Sequence, residues 1–353
     1  MDNAQCPSGG CRQCPRNCGV LREAGAIGYC GMPTELYVSR IAPHRWEEPP
    51  ISGTCGSGTV FFTGCSLRCV FCQNRDISRT RLGTPLTEEA LAHRLLALAD
   101  SGVHNINLVT PTHYTEPLAR VLEKVKPRLH IPVVWNSGGY ECPATLRRLD
   151  GLVDIYLPDF KYASPALAGA LSGAPNYPET AEAALAEMYR QVGGVQFSED
   201  GTLLRRGVLV RHLVLPGCRR DSCAVLGRIA RLLPVRDIRI SVMSQYTPDF
   251  LDPGFALPET SRAELERHPA PPRSRTAHSR RATPSVHTCA PTGRSRAFPV
   301  AGVHPERWRD IRPVAECPSC RRQNRPRCAA GRHRRCRRTA CTRHASACPR
   351  TRR

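Results

Sequence analysis

The stretch Gly58-Thr59-Val60-Phe61-Phe62-Thr63-Gly64-Cys65-Ser66-Leu67-Arg68-Cys69-Val70-Phe71-Cys72 decides how this chain is read. Its first half is short, β-branched and aromatic between two glycines, which predicts a buried strand ending in a turn. Its second half carries three cysteines spaced C-x3-C-x2-C on the loop leaving that strand. Three thiolates this close fill three corners of an iron–sulfur cube and leave one iron without a protein ligand. An open iron is a place where a small molecule binds and reacts. In α/β sheets and barrels the C-terminal strand end is also where ligands sit. A zinc site or a disulfide knot is the alternative, although zinc favours four ligands in two pairs.

The surrounding sequence has the grammar of an α/β protein up to about Leu257. Apolar strands are predicted at 60–62, 106–109, 133–135, 153–157, 208–215 and 238–242. Helices are predicted between them at 87–99, 117–125, 144–149, 180–192 and 224–233. Thr87 is placed to cap the first helix, with Glu88 and Glu89 at its positive end and Leu91, Leu95 and Leu98 on one face. Six strands in βα order predict an α/β fold, a partial (β/α)6 TIM-type barrel. It is flanked by a small cysteine-rich N-terminal lobe (residues 1–50) and a disordered C-terminal tail (258–353), with the barrel at 51–257.

The net charge of +21 suggests a nucleic-acid partner until it is mapped. Residues 261–353 hold 24 arginines, no lysine and five acidic residues, whereas the first 260 hold 27 basic and 25 acidic residues. The barrel is therefore nearly neutral, and its composition does not call for nucleic acid. The tail lacks any apolar period and is dominated by Arg, Pro, Ala, His and Cys. It reads as the product of a frameshift in GC-rich DNA, or else as an arginine-rich arm that binds RNA or DNA electrostatically. Cys317, Cys320, Cys328 and Cys336 within it have zinc-like spacing in a strongly biased context. Nineteen cysteines without an N-terminal apolar segment point to metal chemistry in a reducing cytoplasm. No run reaches the ~20 apolar residues that a membrane helix needs.

Within this frame, TGCSLRCVFCQN (63–74) resembles the signature of the radical S-adenosylmethionine (SAM) superfamily. More narrowly, residues from about Cys11 to about Pro248 are similar to pyruvate formate-lyase activating enzymes. The resemblance implies a [4Fe–4S] cluster on Cys65, Cys69 and Cys72, with SAM chelating the fourth iron, and it implies the partial barrel. It also implies hydrogen abstraction from a small molecule or from a protein such as a glycyl radical enzyme, with flavodoxin or ferredoxin as electron donor. Phe71 and the later strand ends are the candidate SAM contacts. Thr112 and His113 occupy the place where many relatives carry Gly-Gly-Glu. Asn136 and Ser137 precede two glycines. Asp159 and Lys161, two apart and so on one side of a strand, match an Asp-x-Lys element beside SAM in the activating enzymes. They also read as a simple salt bridge, His113 as a satisfied loop histidine, and the glycines as a plain turn. Gln245, beside Tyr246, is the last candidate.

A second cysteine group, Cys11, Cys14, Cys18 and Cys30, has enough thiols for a second metal or cluster. It also reads as reduced cysteines packing a small lobe. Two functional classes compete with the radical SAM reading: an iron–sulfur electron carrier without SAM, and a nucleic-acid-binding protein acting through the tail.

Overall fold

A computed structural model describes residues 10–247. The expectations for residues 258–353, including the Cys317 group, lie outside them. Nine strands form one sheet among the described residues. Six of them run parallel in chain order: β2 (Ser57–Phe62), β4 (Ile106–Val109), β5 (Val133–Ser137), β6 (Ile155–Pro158), β8 (Leu204–Leu213) and β9 (Arg239–Met243). This is the expected partial barrel, and it is not closed.

Antiparallel strands extend it. β1 (Leu36–His44) pairs with the outer edge of β2, β3 (Thr84–Leu86) pairs with β1, and β7 (Gln196–Phe197) pairs with β8. The sheet thus takes in residues 36–44, which the cysteine count groups with the N-terminal lobe.

Helices fill the connections. α1 (Glu88–Asp100) starts at Thr87, whose hydroxyl accepts the Ala90 N–H, and buries Leu91, Leu95 and Leu98. α2 (Thr115–Val125) follows β4. α3 (Pro165–Ser172) starts at the Ser164 cap and ends on a left-handed Gly173, as short apolar helices commonly do. α4 (Tyr177–Val192) and α5 (Arg219–Leu232) precede β7 and β9. None of the helices among the described residues is long and apolar enough to cross a membrane.

Alternation along the strands gives the sheet two different faces. Val133, Trp135, Tyr156, Val208 and Val210 pack into the large core under the helices. Val134, Ile155, Leu157 and Leu209 form a separate apolar cluster with Ile51 and Leu204. One step further toward the C-terminal strand ends, the residues in phase with this second cluster turn polar: Asn136, Asp159 and Arg211. The inner face therefore has an apolar floor and a polar mouth.

Candidate active site at the strand ends

Gly64 makes the turn from β2 into the cysteine loop at φ +87°. A side-chain carbon there would lie 2.3 Å from Met32 Cγ and 2.8 Å from the Cys30 carbonyl, so only glycine fits this turn. His113 packs behind it. The residue is 1% exposed and its Nε2 lies 2.8 Å from the Thr63 carbonyl. Burial pushes its pKa down to about 3, against the Thr63 bond, with Arg22 lowering it further. His113 is thus a neutral prop of the loop.

Each thiol of the loop has a hydrogen-bonding neighbour. Leu67 N–H lies 3.3 Å from Cys65 Sγ, the Ser172 hydroxyl donates to Cys69 Sγ at 2.9 Å, and Cys72 Sγ is 3.5 Å from the Ser78 hydroxyl. Phe71 is buried beside them. Burial pushes the Cys65 and Cys69 thiols up; the charges of Cys69 and Cys72 add to the rise at Cys65, and that of Cys72 adds to it at Cys69. Buried thiols of this kind are inert until something replaces their protons.

Lys161 supplies positive charge next to Cys65 and Cys69. Burial opposes its charge, but Asp159 and the Cys69 sulfur more than offset that and hold the ammonium protonated. Its Nζ donates to Asp159 Oδ2 at 2.6 Å, so the expected pair is present. Burial likewise works against the Asp159 carboxylate, and Arg211 and Lys161 outweigh it, holding the group below its ordinary range.

Arg211 ties the mouth together. It donates to Asp159 Oδ1 at 3.0 Å, to Glu47 Oε1 at 2.9 Å and to Asn136 Oδ1 at 2.7 Å. The Asn136 amide donates in turn to Glu47 Oε2 at 2.8 Å. Glu48, bonded to Ser241, has its carboxyl raised by burial and by the charges of Glu47 and Asp159. Arg211 and the Lys161–Asp159 bond thus bring Asn136, Asp159 and Lys161 into one group. Glu47 and Arg211 complete the group without having been expected. Arg211 reads as the polar phase of an ordinary strand, and Glu47 lies in a connecting segment 164 residues away.

A second polar group sits beside it. The Thr112 hydroxyl donates to Glu141 Oε1 at 2.7 Å, the Trp135 indole to the same oxygen at 3.2 Å, and Ser137 bonds the same carboxyl. Burial raises the Glu141 carboxyl to about 7, and these three bonds only partly counter it. Thr110, which starts this segment, has φ +53°, a strained conformation for a β-branched residue. Gly138 brings the strand ends to the loop, since a side-chain carbon there would be 3.1 Å from Leu67 Cδ1 and 3.6 Å from Lys161 Cε. Gln245 lies exposed beyond β9.

A family model described as the radical SAM superfamily matches residues 59–205, from within β2 through the cysteine loop, β4, β5 and β6 to the first residues of β8. The uncharacterized protein MJ0674 of Methanocaldococcus jannaschii is 30% identical over 251 residues, 68% of this chain and 67% of its own. The chain belongs to the radical SAM superfamily. Members of this superfamily use a [4Fe–4S] cluster and SAM.

Solved structures of radical SAM proteins match more distantly. A methylornithine synthase (PylB) aligns at 18% identity and a TM-score of 0.40, covering 56% of each chain. SuiB of Streptococcus suis, bound to its precursor peptide SuiA, aligns at 15% identity and a TM-score of 0.41, covering 57% of this chain and 42% of SuiB. This chain thus spans about half of those structures.

The donor set fits the radical SAM cluster. Among the described residues, no three Cys, His, Asp or Glu side chains converge on a position for a single metal ion. Such convergence is what zinc requires, at about 2.3 Å from each sulfur. Thiolates on separate irons of a cluster need no common point. The hydroxyl and amide donors around the sulfurs, with the Lys161 cation, suit thiolates that carry negative charge.

Proposed function

We propose that Cys65, Cys69 and Cys72 hold a [4Fe–4S] cluster at which SAM is cleaved reductively, for hydrogen abstraction from a substrate at the polar mouth of the partial barrel. The observation that carries this reading is the cysteine loop at the end of β2 with Lys161 and Asp159 beside Cys69. Held by Cys65, Cys69 and Cys72, the reduced cluster would supply the electron for reductive cleavage of SAM.

The chain's residues orient and shield that chemistry. Asp159, fixed by Lys161 and Arg211, offers a charged group of defined direction. Asn136 and Glu47 are held in place by the same arginine. The floor of Val134, Ile155, Leu157 and Leu209 keeps water from the inner face. Leu67, resting on Gly138, packs the cysteine loop against the strand end.

The resemblance to pyruvate formate-lyase activating enzymes makes a backbone glycine of a glycyl radical enzyme the first substrate to test, with flavodoxin or ferredoxin as donor. A small polar substrate is favoured by a different observation: Glu47, Asp159, Lys161 and Arg211 gather in one mouth. The test is the electron paramagnetic resonance (EPR) spectrum of the dithionite-reduced, reconstituted protein before and after SAM is added. Coordination of SAM at the open iron changes the signal of the wild type. An unchanged signal at saturating SAM sinks the proposal.

A further inference from the structure

The N-terminal segment brings four thiols and one buried cation together. Cys11 N–H donates to the Val20 carbonyl at 2.8 Å, and Gly19 N–H donates back to the Cys11 carbonyl at 3.1 Å. Asn17, at φ +43°, closes a turn on the Cys14 carbonyl at 3.0 Å. Cys18 lies against Gly28, where a side-chain carbon would come within 2.6 Å of its sulfur. Cys30 follows two residues later. The segment therefore gathers Cys11, Cys18 and Cys30 around Cys14, near enough that the charge of each acts on the Cys14 thiol.

Arg22 lies beside Cys11 and Cys30, only 7% exposed. Its guanidinium donates to the Pro33 carbonyl at 3.0 Å and to the His113 carbonyl at 2.6 Å, and it reaches Cys11 Sγ at 4.0 Å. Among the described residues no carboxylate pairs with it. A guanidinium does not lose its proton in a protein, and a buried charge without a counter-charge is strongly disfavoured. Carbonyl dipoles solvate it but do not neutralise it. Neutral thiols do not either. Four thiolates would, and thiols become thiolates when a soft metal takes the place of their protons.

The described sulfurs do not converge on one ion, as zinc would require. A four-iron cluster binds each thiolate through a different iron and takes four cysteines. We propose that Cys11, Cys14, Cys18 and Cys30 ligate a second iron–sulfur cluster, with Arg22 as its buried counter-charge. Assembly uses ferrous and ferric iron in equal amounts with sulfide; each Fe–Sγ bond formed releases one thiol proton, and no electron is transferred.

The site would also brace the first cluster. Arg16, between Cys14 and Cys18, donates to the Ser66 carbonyl at 2.7 Å and the Ser172 carbonyl at 3.1 Å. Ser172 is the residue whose hydroxyl donates to Cys69 Sγ.

The test uses the full chain with Cys65→Ser, Cys69→Ser and Cys72→Ser combined, which removes the first cluster and leaves the N-terminal segment untouched. After anaerobic reconstitution, iron, sulfide and zinc are counted per chain and the reduced protein is examined by EPR. The proposal expects about half of the wild-type iron, with sulfide and a cluster signal, and expects both to vanish when Cys11→Ser and Cys14→Ser are added. In the triple variant, Arg22→Gln should release iron to a chelator several-fold faster than Arg22→Lys. A triple variant without iron, one holding zinc instead, or iron that survives Cys11→Ser and Cys14→Ser would overturn the site. Equal release from the two Arg22 variants would overturn the counter-charge.

Discussion

Two ion pairs in this protein share a length and differ in burial. Lys161 Nζ–Asp159 Oδ2 and Arg120 Nη2–Glu88 Oε1 both measure 2.6 Å. The side chains of the first pair are 20% and 18% exposed; those of the second are 50% and 24%. At equal separation the attraction depends on the medium, with roughly a fourfold difference between water and an effective dielectric near 20. Removing one charge leaves the other where it was. In Asp159→Asn, Arg211 keeps Glu47 at 2.9 Å, but Lys161 loses its carboxylate. Breaking an enclosed pair costs about 3–5 kcal/mol. With a fifth of each side chain still wet, the expected loss is about 2–4 kcal/mol. Glu88→Gln should cost below about 1 kcal/mol. Urea unfolding at low salt and at about 1 M salt separates the two, because only the exposed pair is screened. Asp159→Asn/Lys161→Met should recover most of the loss, since no lone cation remains. Equal losses for the two single variants, or a loss at Asp159 that disappears in salt, would refute the reasoning.

Other outcomes follow from neighbouring residues. The raised Glu141 carboxyl makes stability full below about pH 4.5 and lower as pH climbs through about 7, by about 3 kcal/mol in all. Glu141→Gln keeps an acceptor for Thr112 and Trp135, so urea unfolding at pH 5 and pH 8 should show the fall in the wild type and not in the variant. Gly64→Ala combines a left-handed backbone with contacts of 2.3 and 2.8 Å. It should cost more than about 2 kcal/mol and halve the iron recovered on reconstitution, read by iron assay. Ser172→Ala deletes the hydrogen bond to Cys69 Sγ. It should lower the midpoint potential of the cluster in a redox titration, because hydrogen bonds to the sulfur stabilise the more negative, reduced state.

The six parallel strands were legible because buried strands write themselves as short apolar runs between turn residues. Ile106–Val109 matches to the residue, and the others shift by one to four positions at an end. β1 was not legible. Its sequence LYVSRIAPH mixes Ser39, Arg40 and Pro43 among the apolar residues, and its partner β2 is set only by the tertiary fold. α3, PALAGALS, is too short and too uniformly small to show a period. At the site, the cysteines and the Asp159–Lys161 pair carried local spacing that chemistry could read. Arg211, Glu47 and Glu141 carried none, since each acquires its meaning from partners on other strands.

The central claim is the chemistry at the three-cysteine loop, and formation of 5′-deoxyadenosine tests it most directly. The anaerobically reconstituted, dithionite-reduced protein given SAM should produce it, and Cys65→Ala, lacking one cluster ligand, should not. A wild type with its full complement of iron that yields no 5′-deoxyadenosine, or a Cys65→Ala variant that yields as much as the wild type, would contradict the account.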